Sequence, residues 1–177
     1  MTGPLTEQGT ADSPDQISIG DMTGLEVLRY MTGLAERPPN IAQLVGMDVD
    51  SLDEGHVVFS LRARPDMTNP IGSLHGGICA TLLDSVMGCA VHTTLGAGVG
   101  YGTLELKVNY IRSVPTDGRR IIGSGRTIHV GRRTATAEGE IRDEQDKLIA
   151  HGTTTCIIHQ PGRVDPAGQG RPVRERP

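Results

Sequence analysis

The stretch HGGICATLLDSVMGCAVHTTL, residues 75 to 95, constrains this chain more than any other. It has high helical propensity and is apolar nearly all round, so a helix made from it has no face to show to water and must be enclosed by the rest of the chain. Two features sit oddly in it. It begins with the glycine pair Gly76 and Gly77, and it carries one carboxylate, Asp84, in its middle.

The remaining sequence supplies the enclosure. Residues 21 to 36 place Leu25, Leu28, Met31, Thr32 and Ala35 at helical spacing and are closed by Pro38 and Pro39, predicting an amphipathic first helix. Residues 41–50 and 56–64 read as strands joined by a DEG turn at 53–55, and 65–74 as an irregular loop. After the helix come four strand-like runs, 101–112, 119–130, 132–142 and 147–158, with turns at 115–118, Gly131 and 143–146.

Leu104, Leu106, Val108 and Tyr110 alternate with Thr103, Glu105, Lys107 and Asn109, as in an antiparallel sheet covered on one side. This alternation turns Thr103 away from the helix unless Gly100 and Gly102 mark a bulge. Ala135, Ala137, Gly139, Ala150 and Gly152 are small enough to let the sheet approach a helix closely. The expected fold is α+β: a curved antiparallel sheet wrapped round one long central helix, with an extra N-terminal helix. A single domain is expected over residues 19–160, with flexible tails at 1–18 and 161–177, where Pro, Gly and polar residues leave little to bury.

A net charge of −4 argues against a general nucleic-acid surface, although Arg119, Arg120, Arg132 and Arg133 could hold a smaller anion. The three cysteines, Cys79, Cys89 and Cys156, show no metal-ligand spacing and read as buried thiols of a reduced, cytoplasmic protein. No metal or cofactor is expected. No run of eighteen apolar residues suggests a membrane span, and the start of the chain does not look like an export signal.

The odd features of the central helix suit one kind of chemistry. Backbone N–H groups at a helix start lack intrahelical partners and attract negative charge, so Gly76 and Gly77 could hold an oxyanion; equally, they could only permit a tight turn. Asp84 could serve as a nucleophile or as a general base on water, or could simply be paired with an arginine. Gly77 and Asp84 lie seven residues apart, roughly 10 Å along a helix, too far for one carbonyl carbon to meet both. Two such helices, antiparallel about a two-fold axis, would bring Gly77 of one protomer to Asp84 of the other, with Gly88 easing the approach.

Asn69 six residues before His75, Gly-Gly opening the helix, Asp84 nine after the histidine, and a GRR hairpin at 131–133 together resemble the hotdog-fold acyl-CoA thioesterases of the phenylacetate-degradation (PaaI-like) type, over about residues 40–158. The resemblance implies hydrolysis of an acyl-CoA thioester in a homodimer or a dimer of dimers. It implies that Asn69 and His75 shape the pocket and orient the thioester carbonyl, that Thr103 helps position the attacking water, and that Arg132, Arg133 and Thr134 lie along coenzyme A; read by themselves, His75 could equally be a helix-start residue bonded to its own loop and the arginines solvated. Two other readings stand beside it. A hotdog hydratase or dehydratase would want a histidine a few residues from Asp84, which is lacking; a non-catalytic acyl-CoA-binding regulator would want a DNA-reading module, for which the first 40 residues are too short. Three tyrosines, one phenylalanine and no tryptophan point to an aliphatic pocket lining, and the first helix is placed to cap that pocket.

Overall fold

The structure, a computed structural model, describes residues 18–35 and 39–160. The tails expected over 1–18 and 161–177 lie, Ser18 apart, outside those residues. Two helices, α1 (Gly24–Gly33) and the short α2 (Ile41–Val45), precede strands β1 (Met47–Asp53) and β2 (His56–Arg62). The central helix α3 (Gly76–Thr93) follows, then β3 (Gly100–Tyr110), β4 (Arg120–Val130), β5 (Thr134–Asp143) and β6 (Leu148–His159). All six strands form one antiparallel sheet in the order β1-β2-β4-β5-β6-β3, which wraps α3 in the hotdog arrangement.

The enclosure of α3 is complete along most of its length. Leu82, Leu83, Val86, Met87, Ala90 and Val91 have no exposed surface. The sheet comes this close because glycines stand in a cross-strand row, Gly125 opposite Gly139 and Gly139 opposite Gly152. A Cβ on Gly125 would fall 2.5 Å from the Val86 backbone, and one on Gly139 would fall 2.9 Å from the Met87 side chain. At Gly125 the helix backbone itself therefore touches β4, whereas at Gly123 of the same strand the Leu82 side chain does.

Two expectations change. The strand expected from residue 41 begins at Met47; before it, Asn40 accepts the Gln43 N–H at 3.0 Å and Gly46 takes φ 70°, capping α2 at both ends. This local capping outweighs the strand read over 41–50. Helix α1, opened by a Thr23/Glu26 capping box, does not cover the start of α3 in its own protomer. It docks at the other end, where the Gly24 N–H donates to Leu95 O at 3.0 Å and a Gly24 Cβ would collide with His92 O. Arg29 extends from α1 to Leu52 O of β1. No helix among the described residues is long and apolar enough to cross a membrane.

Candidate active site

The start of α3 is organised by three side chains. His75 caps it: the Gly77 N–H donates to His75 Nδ1 at 2.9 Å, so in the neutral ring the proton resides on Nε2, which is left as a donor. Tyr110, at the end of β3, donates its hydroxyl to Gly76 O at 3.0 Å, with its ring 3.2 Å from where a Gly76 Cβ would stand. A Gly77 Cβ would stand 3.0 Å from His75 Nδ1. Both glycines thus make room first for side chains of their own chain. The Gly77 N–H is already engaged, whereas the Gly76 N–H has no acceptor among the described residues.

Asn69 orders the loop before the helix. Its Oδ1 accepts the N–H groups of Ile71 and Ser73, both at 3.1 Å, and its Nδ2 donates to Ser73 Oγ at 3.0 Å. Its contacts are therefore with the loop that delivers His75 to the helix start, an Asx-type organisation that frees the loop from needing regular structure.

Asp84 is half-buried on α3 and forms no ion pair with any described residue, so the arginine pairing considered for it is not made. Its partner is Thr103, whose hydroxyl donates to Asp84 Oδ1 at 2.9 Å. Strand alternation alone had turned this threonine away. The register shows why it faces the helix: Thr103 pairs with Cys156 while Glu105 pairs with Thr155, leaving Leu104 as an extra residue. The bulge inverts the facing of everything before it, so Tyr101 and Thr103 share the helix side with Leu106 and Val108, and Leu104 is turned out, 60% exposed.

The surroundings of Asp84 are poor in charge and rich in thiols. Burial pushes the Cys89 thiol up to about 11, the Asp84 charge adds to this, and a Tyr101 hydrogen bond opposes it. Burial likewise raises the Cys156 thiol. Both sulfurs stay protonated at neutral pH, which leaves Asp84 as the basic group here. The Tyr101 ring lies over Gly88, where a Cβ would come within 2.8 Å of its hydroxyl, and 5.3 Å from the His92 ring. Gly88 therefore makes room for Tyr101 of the same chain. Tyr101, Tyr110 and Cys156 were missed in the sequence; the one available signal was that two of only three tyrosines lie on β3.

The β4–β5 hairpin is closed by the Gly131 N–H donating to Thr134 O at 2.9 Å. The carbonyls of Arg132 and Arg133 accept hydrogen bonds from Gln160 Nε2 and the Ile158 N–H, while both guanidinium groups are exposed and have no partner among the described residues. Ala135 pairs with Cys156 and Cys156 with Thr103, so this hairpin, Thr134 included, sits at the same end of the sheet as Thr103 and Asp84. Arg119 and Arg120 are different: they are held by Asp117 and Asp50, which removes them as anion sites.

The arrangement groups the expected residues into two half-sites on one protomer, Asn69, His75, Gly76 and Gly77 at the helix start and Asp84, Thr103 and the arginine hairpin further along. Residues 71–150 match the Thioesterase superfamily. The chain belongs to that superfamily. As a member it is a thioester hydrolase. Among solved structures it is similar to the conserved protein PA5202 of Pseudomonas aeruginosa (36% identity, TM-score 0.64, covering 69% of this chain and 95% of that one). It is also similar to a phenylacetic acid degradation-related protein of Ralstonia eutropha (28%, TM-score 0.65, 73% and 97%). Acyl-coenzyme A thioesterase 13 of Homo sapiens is 26% identical over 132 residues, 73% of this chain and 90% of that protein.

Proposed function

We propose that this hydrolase cleaves acyl-CoA thioesters, with Asp84 as general base, in a site completed by a second copy of the chain. The observation that carries the reading is the Thr103 hydroxyl bound to Asp84 Oδ1. That contact occupies one carboxylate oxygen and leaves Oδ2 to accept a proton from water. Similarity to a named acyl-coenzyme A thioesterase supports the choice of substrate class.

In this mechanism water attacks the thioester carbonyl carbon and passes its proton to Asp84 Oδ2. The carbonyl oxygen becomes an oxyanion held by the Gly76 N–H and the His75 Nε2–H at the positive end of α3. Collapse breaks the carbon–sulfur bond, and the departing thiolate takes the proton back from Asp84, giving acid and free coenzyme A. The exposed guanidinium groups of Arg132 and Arg133 suit the phosphates of the coenzyme.

Gly76 and Asp84 stand eight residues apart on one helix, roughly 12 Å by helical rise, so one carbonyl cannot use both within a protomer. Strand β3, eleven residues long, is an edge of the sheet, and Leu104, Tyr110 and Ile111 at that edge are more than half exposed. An open edge of this length favours pairing with a twin β3, which would lay two α3 helices side by side and antiparallel. Dimer or dimer of dimers is the assembly this reading requires. A hydratase is less well served: the nearest histidine after Asp84 on α3 is His92, whose ring packs tilted against Tyr101.

The test is free-thiol release from a panel of acyl-CoA substrates by the wild type, Asp84→Asn and Asp84→Ala. Loss of a general base lowers kcat by about 100- to 10,000-fold. Variants with full turnover would end the proposed mechanism, and a wild type that binds acyl-CoA without thiol release would point to the non-catalytic regulator. After a single turnover in ¹⁸O-water, label in Asp84 would show a nucleophilic carboxylate, because general-base catalysis puts the label only in the released acid.

A further inference from the structure

A cavity of about 340 Å³ opens beside the start of α3, with Asn69, Gly76 and Tyr110 of that half-site in its lining. Leu74, Cys79 and Val114 lie along it, exposed by only 6, 4 and 5%, together with Tyr110. Ile71 and Ile111 border it and are 88 and 56% exposed. Asn69, Ser73, Arg112 and Ser113 also line the cavity, and Ile111 belongs to the β3 edge as well, but Ile71, this open beside the apolar surface of Leu74, Cys79 and Val114, marks a place where apolar matter docks. The larger hollow on the outer face of the sheet, about 530 Å³, is lined instead by Ser124, Arg126, Glu138, Glu140 and His151, and does not suit an apolar guest.

Gly76 is itself part of the cavity wall. A thioester whose carbonyl oxygen accepts the Gly76 N–H has its carbonyl carbon at the cavity mouth, and that carbon carries only two other substituents. The sulfur and coenzyme A must run toward the Asp84 and arginine-hairpin half-site. The acyl group is left facing the cavity.

We infer that this cavity is the acyl-group site, and that it selects compact apolar acyl groups over long chains; the inference rests on the thioesterase reading above. At about 30 Å³ for each heavy atom of a condensed liquid, the volume holds roughly ten non-hydrogen atoms. A straight acyl chain of up to about ten carbons or a single-ring arylalkanoyl group fits, and longer chains protrude into water.

The experiment measures kcat/KM for acyl-CoAs from four to sixteen carbons, and in parallel the calorimetric affinity of thioether analogues of the same lengths, which cannot be hydrolysed. Affinity should rise with length and level off near ten carbons. Cys79→Leu, which narrows the cavity, should move that break to shorter chains, changing discrimination between neighbouring lengths by about tenfold. Ile71→Asp, at an exposed position that folding does not need, should weaken every apolar analogue beyond six carbons and leave the shortest nearly unaffected. Leu44→Asp, on α2 and 72% exposed, is the surface control and should reproduce the wild type. A folded Cys79→Leu together with Ile71→Asp, both keeping the wild-type length profile, would overturn the assignment and place the acyl group elsewhere or a partner segment in the cavity. If thioethers bind with the expected break while no acyl-CoA releases thiol, hydrolysis fails and the cavity assignment stands.

Discussion

Thr103→Val is the sharpest single test of the site, because it removes one hydrogen bond and almost nothing else. Valine keeps the shape and the β-branch of threonine, so strand β3 and its bulge should persist. The side chain is exposed, so stability should change little. What is lost is the donor 2.9 Å from Asp84 Oδ1. A hydrogen bond to a charged group contributes about 1.5–3 kcal/mol, and solvent access at Thr103 puts this one near the lower limit. If that energy holds the carboxylate in its working orientation, kcat falls by about tenfold, since about 1.4 kcal/mol is a factor of ten. KM should stay within about twofold, because Thr103 touches the base rather than the substrate. Thr103→Ser retains the hydroxyl and should recover most of the rate. Thiol-release kinetics on the three proteins decide the matter, and a Thr103→Val enzyme with wild-type kcat, or a serine variant as slow as the valine, would refute the role given to this contact.

Three further outcomes follow from the same geometry. Mixing Asp84→Ala protomers with Gly76→Pro protomers should restore up to one working site per heterodimer; proline is accepted at a first helical position after an extended residue such as His75, so its main effect is loss of the N–H. No recovery of thiol release after subunit exchange would contradict a shared site. Gly88→Ala should lower stability by about 1–3 kcal/mol in urea unfolding, because the new methyl meets the Tyr101 hydroxyl at 2.8 Å, whereas Gly33→Ala, with nothing within 4 Å, should be neutral or stabilising. Burial raises the Cys79 thiol from 9.0 to about 11, so the unfolded chain releases this proton first. The native state therefore keeps its full stability below about pH 9 and loses on the order of 2–3 kcal/mol as pH rises through 11, a loss that Cys79→Ala should remove from the alkaline unfolding profile.

The helix was legible because its composition leaves it no alternative. Residues 75–95 have no polar face, so burial was forced, and the strand runs around it had the right period and enough small residues to close on it. Gly139 was readable as a point of close approach to the helix, and it is, whereas the crowding at Gly152 comes from Lys107 O of the neighbouring strand. Asp84 stood out by the same logic, as a carboxylate placed where only apolar residues belong. Helix α2 was misread because five residues carry too little periodicity, while its two caps, Asn40 and Gly46, are signals of single residues.

The chain by itself determined that a central helix would be enclosed and that an acid and a helix start would both lie along it, since burial and local propensity depend on which residues are near in sequence. Only the tertiary structure decided which side chains those groups meet. Leu104 bulges out of β3, and one inserted residue rotates Thr103 and Tyr101 onto the helix, an outcome that depends on the register against β6 and on no pattern within β3. In the same way Tyr110, thirty-four residues from Gly76, claims the space that the glycine leaves open. Contacts between residues far apart in the chain are set by register and by the path of the backbone, and those exist only once the sheet has closed.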